Sequence, residues 1–91
     1  MTPSTWYTYI LECRDGTYYT GITTDIERRI EEHNHSPKGA KYTRARRPVV
    51  LRYHEIFANK SEALKREMAI KKLKRTAKIK LIQTNVKGSD T

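Results

Sequence analysis

The chain has 91 residues, 36% hydrophobic and 32% charged, which suits one thinly cored domain and excludes a disordered tail. No stretch approaches the roughly 20 apolar residues that span a bilayer, and no basic-then-apolar leader opens the chain, so a cytoplasmic protein without membrane contact is expected. The formal charge of +9 is uneven: residues 1–36 carry three basic and six acidic side chains, a net of −3, whereas residues 37–91 carry sixteen and four, a net of +12. A basic half of that density favours a polyanionic partner, and nucleic acid before a membrane, because no basic segment has a long apolar opposite face.

Residues 5–13 and 17–22 are rich in aromatic and β-branched side chains and flank Asp15-Gly16, the pattern of a β-hairpin. A two-residue loop would separate Tyr9 and Tyr19 onto opposite faces. A three-residue loop, Arg14 to Gly16 with Gly16 left-handed, pairs Cys13 with Thr17 and puts Tyr9, Leu11 and Tyr19 on one face; it is the favoured register. Thr24 and Glu27 have capping-box spacing and open a helix to about Asn34. Ser36, Pro37 and Gly39 end it, and residues 38–47 form a basic loop with room for a helical turn. Val49 to Ile56 reads as a third strand, with Val49, Leu51, Tyr53 and Glu55 alternating against Val50, Arg52, His54 and Ile56. Asn59 and Glu62 cap a long helix to about Leu73, a shorter one covers Thr76 to Thr84, and Val86 to Thr91 look like a flexible tail. The order β-β-α-β-α-α predicts an α+β domain over residues 1–85: a small three-stranded antiparallel sheet flanked by helices.

Two charged residues interrupt apolar faces. In the first helix Ile26, Arg29, Ile30 and His33 share one face, so Arg29 and His33 lie on the side that Ile26 and Ile30 press to the sheet. A guanidinium there either lines a cleft with an anionic partner or snorkels at the core edge, and His33 is either functional or a satisfied core histidine. In the long helix Glu67 falls among Ala63, Leu64 and Ile70. It reads either as a metal-binding carboxylate or as the i,i+4 partner of Lys71. The lone Cys13 has no disulfide partner in the chain, and with His33, His35 and His54 it lacks the spacing of a zinc site. No phosphate loop, Gly-x-Ser-x-Gly elbow or dinucleotide fingerprint is present.

Tyr7-Thr8-Tyr9-Ile10-Leu11, then Tyr19-Thr20-Gly21, then Arg29, His33 and finally Glu67 before Ala69-Ile70-Lys71-Lys72 together resemble the GIY-YIG nuclease signature. The match spans about residues 5–83 and is similar to the small stand-alone bacterial members, in which Gly39-Ala40-Lys41-Tyr42-Thr43 and Ser61-Glu62-Ala63-Leu64 are also typical. Neither literal triplet occurs, Thr20 stands in place of an apolar residue, Ile22 stands where some relatives have lysine, and Asn85 is a candidate for a polar position after the glutamate helix. The resemblance implies a metal-dependent endonuclease that hydrolyses phosphodiesters, with DNA rather than RNA the expected substrate, in DNA repair or processing, alone or within a larger repair complex. It implies catalytic roles for Tyr9, Tyr19, Arg29, His33 and Glu67, with Glu67 holding one Mg²⁺ or Mn²⁺. Lys38, Lys41, Tyr42, Arg44, Arg46, Arg47, Lys71, Lys72, Lys74 and Arg75 would bind substrate. The alternative is a non-catalytic DNA- or RNA-binding module that keeps the fold.

Overall fold

The computed structural model describes residues 5–89, with side chains to residue 84. Its elements run β1 (Trp6–Glu12), β2 (Tyr18–Thr23), α1 (Ile26–His35), α2 (Lys41–Arg44), β3 (Val50–Phe57), α3 (Lys60–Lys71) and α4 (Arg75–Ser89). One antiparallel sheet has the order β2-β1-β3, so β1 is central and β2 is an edge. The expected α+β order is present. The last helix extends beyond the expected Thr76–Thr84, and of the tail expected over Val86 to Thr91, residues 90 and 91 lie outside the described ones.

The hairpin takes the three-residue register. Gly16 has φ +85°, the Cys13 N–H donates to the Thr17 carbonyl at 2.8 Å, and Leu11 and Tyr9 lie opposite Tyr19 and Gly21. Asp15 locks the turn by accepting from the Thr17 N–H at 3.1 Å and its hydroxyl at 2.6 Å, and Arg75 reaches back to the Gly16 carbonyl at 2.8 Å.

The sheet is covered on both faces. Tyr9, Leu11, Cys13 and Val49 form one core, closed by Tyr19, Ile30 and Leu51; Ile10, Tyr53 and Ile70 form the other, closed by Tyr18, Leu81 and Ile82. Central β1 therefore buries alternate side chains in opposite directions, which explains why Thr8, Tyr9, Ile10 and Leu11 are all buried. Thr8 is satisfied there by donating to the Ala63 carbonyl at 2.9 Å.

The expected alternation along the third strand breaks in the middle. Ile10 lies opposite Tyr53 but Leu11 lies opposite Leu51, so Arg52 is an extra residue in the ladder. This β-bulge sends Leu51 to the α1 core and Tyr53 to the α3–α4 core, where strict period-two alternation would have kept them together. Arg52 pairs outward with Glu12 at 2.8 Å.

Local chemistry at the ends of α1 also differs in detail. Asp25, not Thr24, is the N-cap and accepts from the Arg28 N–H at 3.0 Å, while Thr23 Oγ1 accepts from the Asp25 N–H. At the other end Arg47, expected to meet substrate, donates through Nε to the His33 carbonyl at 2.5 Å and through Nη2 to the carbonyls of Ser36 and Glu32 at 2.5 and 3.3 Å. Those carbonyls carry the partial negative charge of a helix C-terminus, and a planar guanidinium can meet several of them at once. Asn34 ties the same end to β3 by accepting from the Val49 N–H at 2.7 Å and donating to its carbonyl at 3.1 Å. Because Arg47 closes the fold, Arg47→Ala is expected to lower stability in urea denaturation by about 1–3 kcal/mol.

Candidate active site

Gly21 sets the geometry of the site. It faces Tyr9 across the β1–β2 ladder, and a Cβ built on it would lie 2.5 Å from the Tyr9 hydroxyl oxygen and 3.2 Å from the Tyr19 ring. A glycine in this edge strand therefore lets the Tyr9 phenol lie across it and reach the sheet edge. Sequence reasoning gave Gly21 no role, although a strand-interior glycine is itself the signal for such an approach.

Over that phenol sits His33, fully buried, with Nε2 at 2.9 Å from Tyr9 Oη. Its other nitrogen, Nδ1, is 2.8 Å from Thr43 Oγ1 and 3.3 Å from the Ala40 N–H. The Ala40 N–H is a donor only, which makes Nδ1 the acceptor. The Thr43 hydroxyl also lies 2.9 Å from the Ala40 carbonyl, so its one proton serves either that carbonyl or Nδ1. Both ring nitrogens are therefore engaged, Nδ1 by Thr43 and Ala40 and Nε2 by Tyr9 Oη. Burial holds His33 neutral by lowering its pKa to about 4, and the nearby charge of Arg29 acts in the same direction.

Thr43 was missing from the sequence-predicted site. It is fully buried on α2, a four-residue helix too short to show a periodic apolar face. Gly39 makes its approach possible, since a Cβ there would meet the α1 backbone at the Glu32 carbonyl, 2.6 Å away.

Arg29 is half-buried. Its Nη1 donates to Glu32 at 2.8 Å and to the Lys38 carbonyl at 3.0 Å, so the anionic partner foreseen for it is present. Burial pushes the Tyr9 phenol well above its ordinary pKa and neighbouring Tyr19 adds to the rise, which Arg29 opposes by hydrogen bonding and charge; the Glu67 carboxylate is near enough to raise it further. Glu67 keeps only 15% of its side chain exposed and meets Lys71 Nζ at 3.4 Å, so the expected ion pair is present. Tyr19 completes the group, its ring centroid 5.3 Å from that of His33. Tyr9, Tyr19, Arg29 and His33 thus gather where the α1 layer meets the β2 edge, and Glu67, on α3, is near enough to act on the Tyr9 phenol.

The basic residues are divided. Lys41, Arg44, Lys71, Lys72, Lys74 and Arg75 are exposed, and Lys38 is exposed with its carbonyl on Arg29. Arg46 is largely engaged, bonding Asp15 at 3.1 Å and the Tyr42 carbonyl at 2.9 Å while lying 3.9 Å over the Tyr42 ring. Arg47 belongs to the fold. Among the described residues no group of three or more His, Cys, Asp or Glu side chains gathers to hold a metal, so any metal here would rest on Glu67 with water and substrate oxygens. One half-buried carboxylate beside an exposed, displaceable lysine fits that donor set for Mg²⁺ or Mn²⁺.

A small α+β sheet with a phenol, an imidazole and a guanidinium gathered at one edge is a nuclease-type fold. The chain belongs to the GIY-YIG family: the model of the GIY-YIG catalytic domain matches residues 5–80. It is 59% identical over 83 residues to UPF0213 protein DP2720 of Desulfotalea psychrophila, covering 91% of this chain and 76% of that one. With UPF0213 protein VNG_2274C of Halobacterium salinarum it shares 58% over 72 residues, 79% and 92% of the two chains. The solution structure of UPF0213 protein BH0048 from Bacillus halodurans is similar at TM-score 0.57 and 49% identity, covering 88% of this chain and 84% of that one. Among the described residues no helix is long and apolar enough to cross a membrane.

A neutral buried histidine ties stability to pH. The unfolded chain protonates His33 near pH 6.5 while the folded chain resists until about 4, so the unfolded state binds more protons in that window and stability falls as pH drops through it. The expected loss is about 3 kcal/mol. Urea denaturation between pH 7 and 4 measures it, and His33→Gln should flatten the slope.

Proposed function

We propose that this protein is a metal-dependent endonuclease that hydrolyses phosphodiester bonds in DNA. The observation that carries the reading is the gathering of Tyr9, Tyr19, Arg29 and His33 at one edge of an otherwise basic domain, with Glu67 near the Tyr9 phenol. Arg29 is placed to offset charge developing on the scissile phosphate, and its bonds to Glu32 and Lys38 hold it ready without rearrangement. Tyr9 Oη is hydrogen-bonded to His33 Nε2 and lies close to Arg29, whose charge offsets part of the burial that raises its pKa, and it is the group we assign to take a proton from the attacking water once ionised. Thr43 and Ala40 hold the His33 ring in place against Tyr9. Glu67 would hold a single Mg²⁺ or Mn²⁺, which when bound supplies Lewis acidity toward the phosphate. Lys41, Arg44, Lys72 and Lys74 supply the salt-sensitive attraction to the backbone.

A second reading draws on the Glu67–Lys71 pair: a binding module in which that carboxylate only braces α3. The two separate cleanly in a cleavage assay on plasmid and branched DNA with Mg²⁺ or Mn²⁺. The endonuclease reading expects Glu67→Ala and Arg29→Ala each to lose about a hundredfold or more in rate, with DNA binding retained. Equal cleavage by all three proteins would assign the activity to a contaminant or another site. Absence of cleavage with intact, salt-dependent binding supports the module.

The base is open to a separate check. Because burial keeps the Tyr9 phenol protonated at neutral pH, the cleavage rate should climb about tenfold per pH unit from 6 to 9 without a plateau. A plateau near neutrality would move the base to another group.

A further inference from the structure

One buried polar atom of the described residues has no partner. Thr20 is 3% exposed, and its Oγ1 is buried without a hydrogen bond, unlike the hydroxyls of Thr8 and Thr43. Such a hydroxyl burdens the fold, which marks it for a partner that arrives from outside.

Thr20 lines an open cleft of about 250 Å³ on the β2 edge, walled by Tyr18, Tyr19 and Tyr42 and flanked by Lys71 and Lys78. The cleft adjoins the site through Tyr19 and through Lys71, the partner of Glu67. Its aromatic walls are braced: Tyr42 stacks on Tyr19 at 6.2 Å with Arg46 over its ring, and Arg75 lies 5.1 Å over Tyr18. Tyr18 and Thr20 share the α3–α4 face of β2, on which Lys71 and Lys78 also stand, while Tyr19 and Tyr42 close the cleft from across the edge strand.

We propose that this cleft binds a single unpaired nucleotide of the substrate strand, a reading that rests on the endonuclease function above. Its base lies against the Tyr18 ring at the β2 edge, a base-edge group exchanges a hydrogen bond with Thr20 Oγ1 beside it, and its phosphate meets Lys78 and Lys71. A base inside a duplex presents neither face to a concave surface, so the nucleotide beside the cleaved bond is everted or already single-stranded. Stacking accepts any base; the Thr20 hydroxyl, donor or acceptor, adds a modest preference.

The test is an NMR titration of the metal-free protein with 5′-dTMP, and in parallel with inorganic phosphate, alongside thermal melts of wild type and Thr20→Val. No cleavage is involved, so the cleft and the nuclease reading fail separately: loss of activity in Glu67→Ala addresses one, nucleotide binding the other. Saturable dTMP shifts at Thr20, Tyr18 and Lys78 are expected, with Thr20→Val binding about tenfold weaker and melting no lower than wild type. Lys78→Ala should weaken binding of both ligands. If inorganic phosphate produces the same shifts as dTMP and Thr20→Val binds normally, the cleft is an anion patch and the proposal is overturned. A lower melting temperature for Thr20→Val also overturns it, because the hydroxyl would then serve the fold.

Discussion

The hydrogen bond between Tyr9 and His33 organises this molecule. It joins the central strand to α1 in a fully buried setting, and both nitrogens of the imidazole are engaged, so neither ring can turn without breaking a second contact. Around it the remaining choices are constrained. Gly21 must lack a side chain for the phenol to lie where it does, Gly39 must lack one for α2 to close on α1, and Thr43 must present a hydroxyl rather than a methyl. The core on this side of the sheet is therefore as much polar network as oil, and the groups that make it stable are the groups that make it chemically interesting.

Charge is distributed with similar economy. Of the arginines on the basic stretch, Arg47 closes α1 and Arg46 braces the hairpin turn and Tyr42, so the field that a polyanion meets comes mostly from exposed lysines and Arg44. On the opposite layer Glu55 takes both Arg66 and the Tyr53 hydroxyl, whose pKa is pushed up to about 12 by burial and by that carboxylate. This bridge pins α3 to β3 one residue before Glu67, which gives that carboxylate a fixed platform.

Much of this was legible in the residues. Asp15-Gly16 dictates the hairpin register, because only a left-handed glycine there puts Tyr9 and Tyr19 on one face. The interruption of two apolar helix faces by Arg29, His33 and Glu67 pointed to the site before any fold was known. What escaped was non-periodic. Arg47 looks in sequence like any other cation of its loop, and only the proximity of three carbonyls at the end of α1, fixed by tertiary structure, redirects it. Thr43 and Thr20 are small polar residues whose significance lies in having, or lacking, a partner distant in the chain. The Arg52 bulge obeys no propensity at all; it arises because β1 must match β3 on two faces at once.

That bulge has a consequence for how the chain can vary. The two halves of β3 are read in opposite phase, Val49 and Leu51 toward one core and Tyr53 toward the other. Arg52 is the phase shifter, and its side chain lies outside both cores. Residue identity at this position is therefore loosely held, whereas residue number is not. Gaining or losing one residue between Leu51 and Tyr53 would exchange inside for outside along half a strand, while far larger changes of length can be absorbed at the chain ends.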